Sequence, residues 1–115
     1  MSEFEFEDVA ISGDGCVLTA CCQIHADRTW FQGHFPGFEV MPGVAQIQML
    51  SMLIEQQSGW NAAVLAGSSI KFLNPVTPGE RLELRVQKQS DDRVLFSVRT
   101  EQCEKTRGGL QLGGT

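Results

Sequence analysis

The chain has 115 residues, 42% of them hydrophobic and 20% charged, with a formal net charge of −5, which is the make-up of one small globular domain spanning residues 1–115. A pI near 4.9 without any basic run argues against nucleic acid as a partner. No apolar run is long enough to span a bilayer, and Glu3, Glu5, Glu7 and Asp8 stand where a secretory signal would be basic, so a cytoplasmic location is expected.

In chain order, Glu3, Glu5 and Glu7 alternate with Phe4 and Phe6, the pattern of a short edge strand. Ser12-Gly13-Asp14-Gly15 is a turn, and Cys16 to Ile24 is a β-prone run. Adjacent Cys21 and Cys22 point to opposite faces of such a strand. Together with Cys16 and Cys103 they lack the spacing of a zinc site, and His25 and His34 complete no metal site either. Buried, unpaired thiols and no metal are expected. His25 sits in no motif and reads as a surface or strand-end histidine.

A helix is predicted from Pro42 to about Gln57, with Gly59 as its stop. Val44, Ala45, Ile47, Met49, Leu50, Met52, Leu53 and Ile54 place apolar side chains nearly all round it, which predicts a helix buried on every side. Gln46, Gln48 and Ser51 interrupt that surface. A buried amide must be hydrogen-bonded, so Gln48 is expected either to be satisfied within the fold or to face a cavity that holds a polar ligand.

Strands are predicted next. Ala63 to Leu73 ends at Asn74-Pro75 and Thr77-Pro78-Gly79. Leu82, Leu84 and Val86 alternate with polar residues, and beyond a Ser90-Asp91-Asp92 turn so do Val94, Phe96 and Val98, which predicts an antiparallel hairpin. Thr106 to Leu112 reads as a short last strand weakened by Gly108 and Gly109. Residues 1–70 carry one basic residue, Arg28, against eight acidic ones, whereas Lys71 onward carries eight against six. Such a local excess either solvates strand faces or steers an acidic partner.

The stretch with the most chemistry lies between Trp30 and Gln48. Pro42 suits the start of a helix, and Gly43 leaves the backbone N–H groups of the first turn uncovered, a ready site for an anion or a polarised carbonyl oxygen. His34, a few residues upstream, is a candidate acid–base group facing it.

Gly33-His34-Phe35-Pro36 followed by Val40-Met41-Pro42-Gly43 resembles the motif of the β-hydroxyacyl-acyl carrier protein dehydratases of the hotdog superfamily. Ile70-Lys71-Phe72-Leu73-Asn74-Pro75 and Val76-Thr77-Pro78-Gly79-Glu80-Arg81-Leu82 is similar to a second family segment, so the resemblance covers roughly residues 16–112. It implies an α+β hotdog fold, with a curved antiparallel sheet wrapped around one long helix. It also implies a homodimer or higher homo-oligomer in which His34 of one subunit approaches position 48 of the other. The substrate implied is a 3-hydroxyacyl thioester of acyl carrier protein or coenzyme A. In that reading His34 takes the C2 proton, and the N–H groups of Gly43 and Val44 bond the thioester oxygen. Phe35, Phe38, Val40 and Met41 bound an apolar acyl tunnel at the dimer interface, and no cofactor is required.

Two positions depart from the family pattern. Gln48 occupies the place of the helix carboxylic acid, and a carboxamide can hydrogen-bond a leaving hydroxyl but cannot protonate it. Glu39 stands where the dehydratases usually carry proline and is a candidate replacement acid. Three functions remain open: a dehydratase-like lyase, a non-catalytic acyl-thioester binder or inactive partner subunit, and a hotdog acyl thioesterase.

Overall fold

The computed structural model describes residues 4–25 and 40–114. Its elements are β1 (Phe6–Ile11), β2 (Val17–Gln23), α1 (Gly43–Gln57), β3 (Ala62–Phe72), β4 (Arg81–Ser90), β5 (Arg93–Arg99) and β6 (Glu104–Gly114). The strands form one sheet in the order β1-β2-β4-β5-β6-β3, antiparallel at every pairing. One helix laid on such a sheet is the α+β hotdog arrangement that the resemblance implies.

Alternation decides which face of the sheet turns inward. Leu82, Leu84 and Val86 of β4 are buried while Glu83, Arg85 and Gln87 between them are exposed. In β5, Val98 lies opposite Leu84 and Phe96 opposite Val86, so the two apolar rows meet on one face. Leu18, Ala20 and Cys22 of β2 and Leu110 and Leu112 of β6 extend that floor.

The helix does not meet the expectation of burial on every side. Its buried residues are Ala45, Gln46, Met49, Leu50, Leu53 and Ile54, a single stripe at helical spacing. Val44, at 79% exposure, and Gln48 and Glu55 form the opposite, open stripe. Apolar content alone does not separate residues that face the chain's own sheet from those left outside it. The helix ends as expected: Ser58 returns its N–H to the Ile54 carbonyl at 3.2 Å, and Gly59 turns the chain away at φ +73°.

β6 is longer than the sequence pattern suggests, running eleven residues through both glycines. The glycines fit a close approach rather than a break. β3 shifts register between Ser68 and Lys71, with Ser69 at φ +51°, and a Cβ on Gly108 would lie 2.8 Å from Ile70 Cα. Only a strand without side chains there can stay paired with so irregular a neighbour. The cysteines form no disulfide; Cys22 faces the core, but Cys16, Cys21 and Cys103 are only half-buried, fewer buried thiols than expected. No helix of the described residues is long and apolar enough to cross a membrane.

Candidate active site at the start of the helix

Pro42 takes the residue position just before the helix, with φ −61° and ψ 150°. Its carbonyl accepts from the N–H groups of Ala45 at 3.0 Å and Gln46 at 3.2 Å. Among the described residues no side chain caps this end, and no acidic residue stands in the first turn. The N–H groups of Gly43 and Val44 therefore precede the first intrahelical bond, at the positive end of the helix dipole. They are donors aimed at whatever lies before the helix.

Three ties hold this end in place. Met41 donates its N–H to the Val76 carbonyl at 2.7 Å. Gln46, only 3% exposed, reaches back with Nε2 to the Met41 carbonyl at 3.5 Å, and its Oε1 accepts the Thr106 hydroxyl at 2.6 Å. The buried amide is thus Gln46, satisfied inside the fold, whereas Gln48, which the sequence left open between a structural bond and a ligand cavity, is exposed. Finally, the Phe72 ring of β3 lies over Gly43, where a Cβ would stand 2.6 Å from Phe72 Cζ.

The loop that carries Val76 is itself braced. Lys105 donates from Nζ to the Pro75 carbonyl at 3.0 Å and pairs with Glu80 at 3.0 Å, while its own carbonyl accepts from Leu73 and Asn74. Glu80 also accepts the N–H and hydroxyl of Thr77 at 2.7 and 3.0 Å. Burial by itself pushes the Glu80 carboxyl up, but the Thr77 N–H, the Lys105 ammonium and the Thr77 hydroxyl together hold it below its ordinary value.

Of the residues singled out from sequence, Gly43 and Val44 come together at the helix start. Gln48 lies one turn on from Val44 along the open stripe, exposed rather than buried. Met41, expected to bound a tunnel, is instead 3% exposed and packed in the core, and Val40 beside it is half-buried. Its backbone is fixed by Val76, which turns the side chain's neighbourhood inward. His34, Phe35, Phe38 and Glu39 lie outside the described residues. Sequence reasoning missed Phe72, Thr106 and Lys105. The Lys71-Phe72 and Asn74-Pro75 steps marked the region, but pairing of β3 with β6 could not be read locally.

The arrangement offers two neutral donors for a carbonyl oxygen that gains charge, and a carboxamide within a turn of them. Among the described residues no group of three or more His, Cys, Asp or Glu side chains is placed to hold a metal.

Comparison with known proteins agrees with the fold. The family model described as ApeI-like, ApeI dehydratase, matches residues 11–109. The 3-hydroxyacyl-acyl-carrier-protein dehydratase FabZ of Bacillus velezensis is 39% identical over 70 residues, covering 55% of this chain and 50% of that protein. The chain thus spans about half the length of such curated relatives. Among solved structures, the dehydratase heterocomplex ApeI:P from Xenorhabdus doucetiae superposes with a TM-score of 0.82 at 20% identity, covering 96% of this chain and 98% of that one. An uncharacterized protein from Erwinia carotovora subsp. atroseptica superposes at 0.76 with 26% identity, covering 96% and 93%.

Proposed function

The chain belongs to the ApeI-like dehydratase family, and from that premise we propose that it acts on 3-hydroxyacyl thioesters as a dehydratase-like lyase. The observation that carries this reading is the helix start, which no described side chain caps, where the N–H groups of Gly43 and Val44 precede the first intrahelical bond and the Phe72 ring packs against Gly43. A thioester oxygen bonded there gains negative charge as the C2 proton leaves, and the fixed donors stabilise that charge more than they stabilise the ground state. His34, retained within Gly33-His34-Phe35-Pro36, is the base for that proton. Gln48 hydrogen-bonds the C3 hydroxyl without protonating it. Turnover is then slow unless His34 serves both transfers or Glu39 supplies the acid. The acyl carrier is an acyl carrier protein or coenzyme A, no metal or cofactor takes part, and the setting is cytoplasmic.

The working unit we propose is a dimer. β3 is an edge strand, and Leu65, Phe72, Leu73 and Val44 are exposed apolar residues on or near that side, at 64%, 57%, 44% and 79%. An unpaired edge with apolar neighbours is satisfied by a second sheet edge across a twofold axis. The open helix stripe with Gln48 would then face the partner subunit.

Gln48 supports a second reading, in which this chain is the non-catalytic subunit of a mixed pair. The solved structure at a TM-score of 0.82 is described as a dehydratase heterocomplex. A thioesterase is the least supported, since the helix stripe offers no carboxylate at position 48. One experiment separates these readings: interconversion of crotonyl and 3-hydroxybutyryl thioesters, with hydrolysis followed in parallel, by the native chain and by Gln48→Glu. Water addition or loss by the native chain, raised in Gln48→Glu, supports the lyase; turnover confined to Gln48→Glu supports the non-catalytic subunit; hydrolysis alone, or binding without turnover in both, overturns the lyase.

A further inference from the structure

On the outer face of β5, β6 and β3, away from the helix, lies a hollow of about 380 Å³ whose lining includes Lys71, Arg93 and Arg107 and no carboxylate. Its electrostatics are unusual for a solvated strand face. Lys71 and Arg107 stand directly opposite each other in the β3–β6 register, and like charges so placed destabilise a sheet. Arg107 has a carboxylate, Glu104, only at 3.5 Å, and Glu104 is also engaged by the Ser97 hydroxyl at 3.0 Å. Lys71 has no acidic partner among the described residues.

Arg93 donates its Nε to Gln89 at 3.1 Å, which leaves the guanidinium end over Gly109. A Cβ at Gly109 would stand 3.0 Å from Arg93 Nη2 and 3.0 Å from Ser68 Oγ. The bare glycine therefore leaves room for the guanidinium end of Arg93 at the hollow. That Ser68 hydroxyl is buried and without a hydrogen-bond partner among the described residues.

We propose that this hollow binds a phosphate group, held by Arg93, Lys71 and Arg107. A phosphate carries up to two negative charges on oxygens that diverge in three directions, which suits separate cations better than a flat carboxylate does. It removes the repulsion across the strands. The phosphate comes either from free inorganic phosphate or from a phosphopantetheine-bearing acyl carrier. The second source rests on the function proposed above; the anion site does not.

The test is titration of the full chain at fixed ionic strength with inorganic phosphate and, separately, with coenzyme A, followed by calorimetry or amide NMR. Saturable binding of either is expected, weakened about tenfold or more by Arg93→Gln and by Lys71→Gln, the scale of one lost charge-assisted bond. Arg81→Gln, whose native side chain already pairs with Glu7 and Asp8, should leave affinity unchanged. Coenzyme A binding at least tenfold tighter than phosphate identifies the carrier as the source, and equal affinities identify free phosphate. No saturable binding of either ligand, or binding that Arg93→Gln retains, overturns the site. Turnover of a short thioester lacking phosphate, measured on the same variants, reports on the helix-start reading independently.

Discussion

Phe72 and Gly43 leave no room for a side chain between them, since a Cβ on Gly43 would stand 2.6 Å from the ring's Cζ. The ring is 57% exposed on an edge strand, so it can swing aside where a core ring could not. Gly43→Ala should therefore change stability by no more than about 1 kcal/mol, because alanine's better helix propensity offsets the packing that the displaced ring gives up. The effect should fall on substrate, as a raised KM for acyl thioesters, and Phe72→Ala should reproduce it. Loss of several kcal/mol in a urea titration of Gly43→Ala would show instead that the ring is locked.

Thr106 and Gln46 tie the sheet to the helix through a side-chain hydrogen bond of 2.6 Å, out of water. Thr106→Val should cost about 1–3 kcal/mol by stranding the amide oxygen. Adding Gln46→Leu to Thr106→Val should restore part of that loss, as removing both partners does. Strictly additive losses in the double variant would deny the coupling.

Acid should weaken the loop that carries Val76. The Glu80 carboxyl titrates below its ordinary 4.5 in the folded chain. A depressed carboxyl contributes stability that is fully present above the unfolded value and is lost as pH falls through the folded one. The unfolding midpoint should thus decline below about pH 4.5, and Glu80→Gln should flatten that decline while lowering stability at neutral pH. An unchanged acid limb in the variant would place the sensitivity elsewhere.

Gln48→Glu should raise dehydratase turnover by about 10²-fold, the usual worth of a positioned acid. Because Gln48 is exposed in the single chain, the new carboxyl is protonated near neutral pH only where a second subunit covers it. The gain should therefore track dimer formation, and His34→Ala should abolish it. A gain that survives His34→Ala contradicts the assignment of the base.

Light scattering should give a dimer at micromolar concentration. Leu65→Lys, at a side chain 64% exposed on the edge strand, should shift it toward monomer by setting like charges across the axis. A native monomer under those conditions removes the proposed assembly.

The hairpin of β4 and β5 was legible because Leu82, Leu84, Val86, Val94, Phe96 and Val98 alternate and the partner lies a turn away. The helix bounds were legible from Pro42 and Gly59. What the sequence concealed was non-local. Nothing near Phe72 shows that it lies opposite Thr106, and only that pairing reveals why Gly43 is bare and why Gln46 is buried. Gln48 was misplaced for a related reason: in a helix apolar nearly all round, composition does not say which stripe the sheet covers.

The strand order also has a consequence for how the chain folds during synthesis. β3 is made directly after the helix, yet it pairs with β6, the last of the described strands, with Ala62 matched to Gly114 and Phe72 to Thr106. On a ribosome adding about 5–20 residues per second, β3 waits on the order of seconds for that partner. Until β6 emerges, Phe72 has no strand to hold it over Gly43 and Gln46 has no Thr106. The helix start is thus completed only once β6 has emerged, and a nascent chain stalled before β6 should expose an apolar β3 to chaperones or to aggregation.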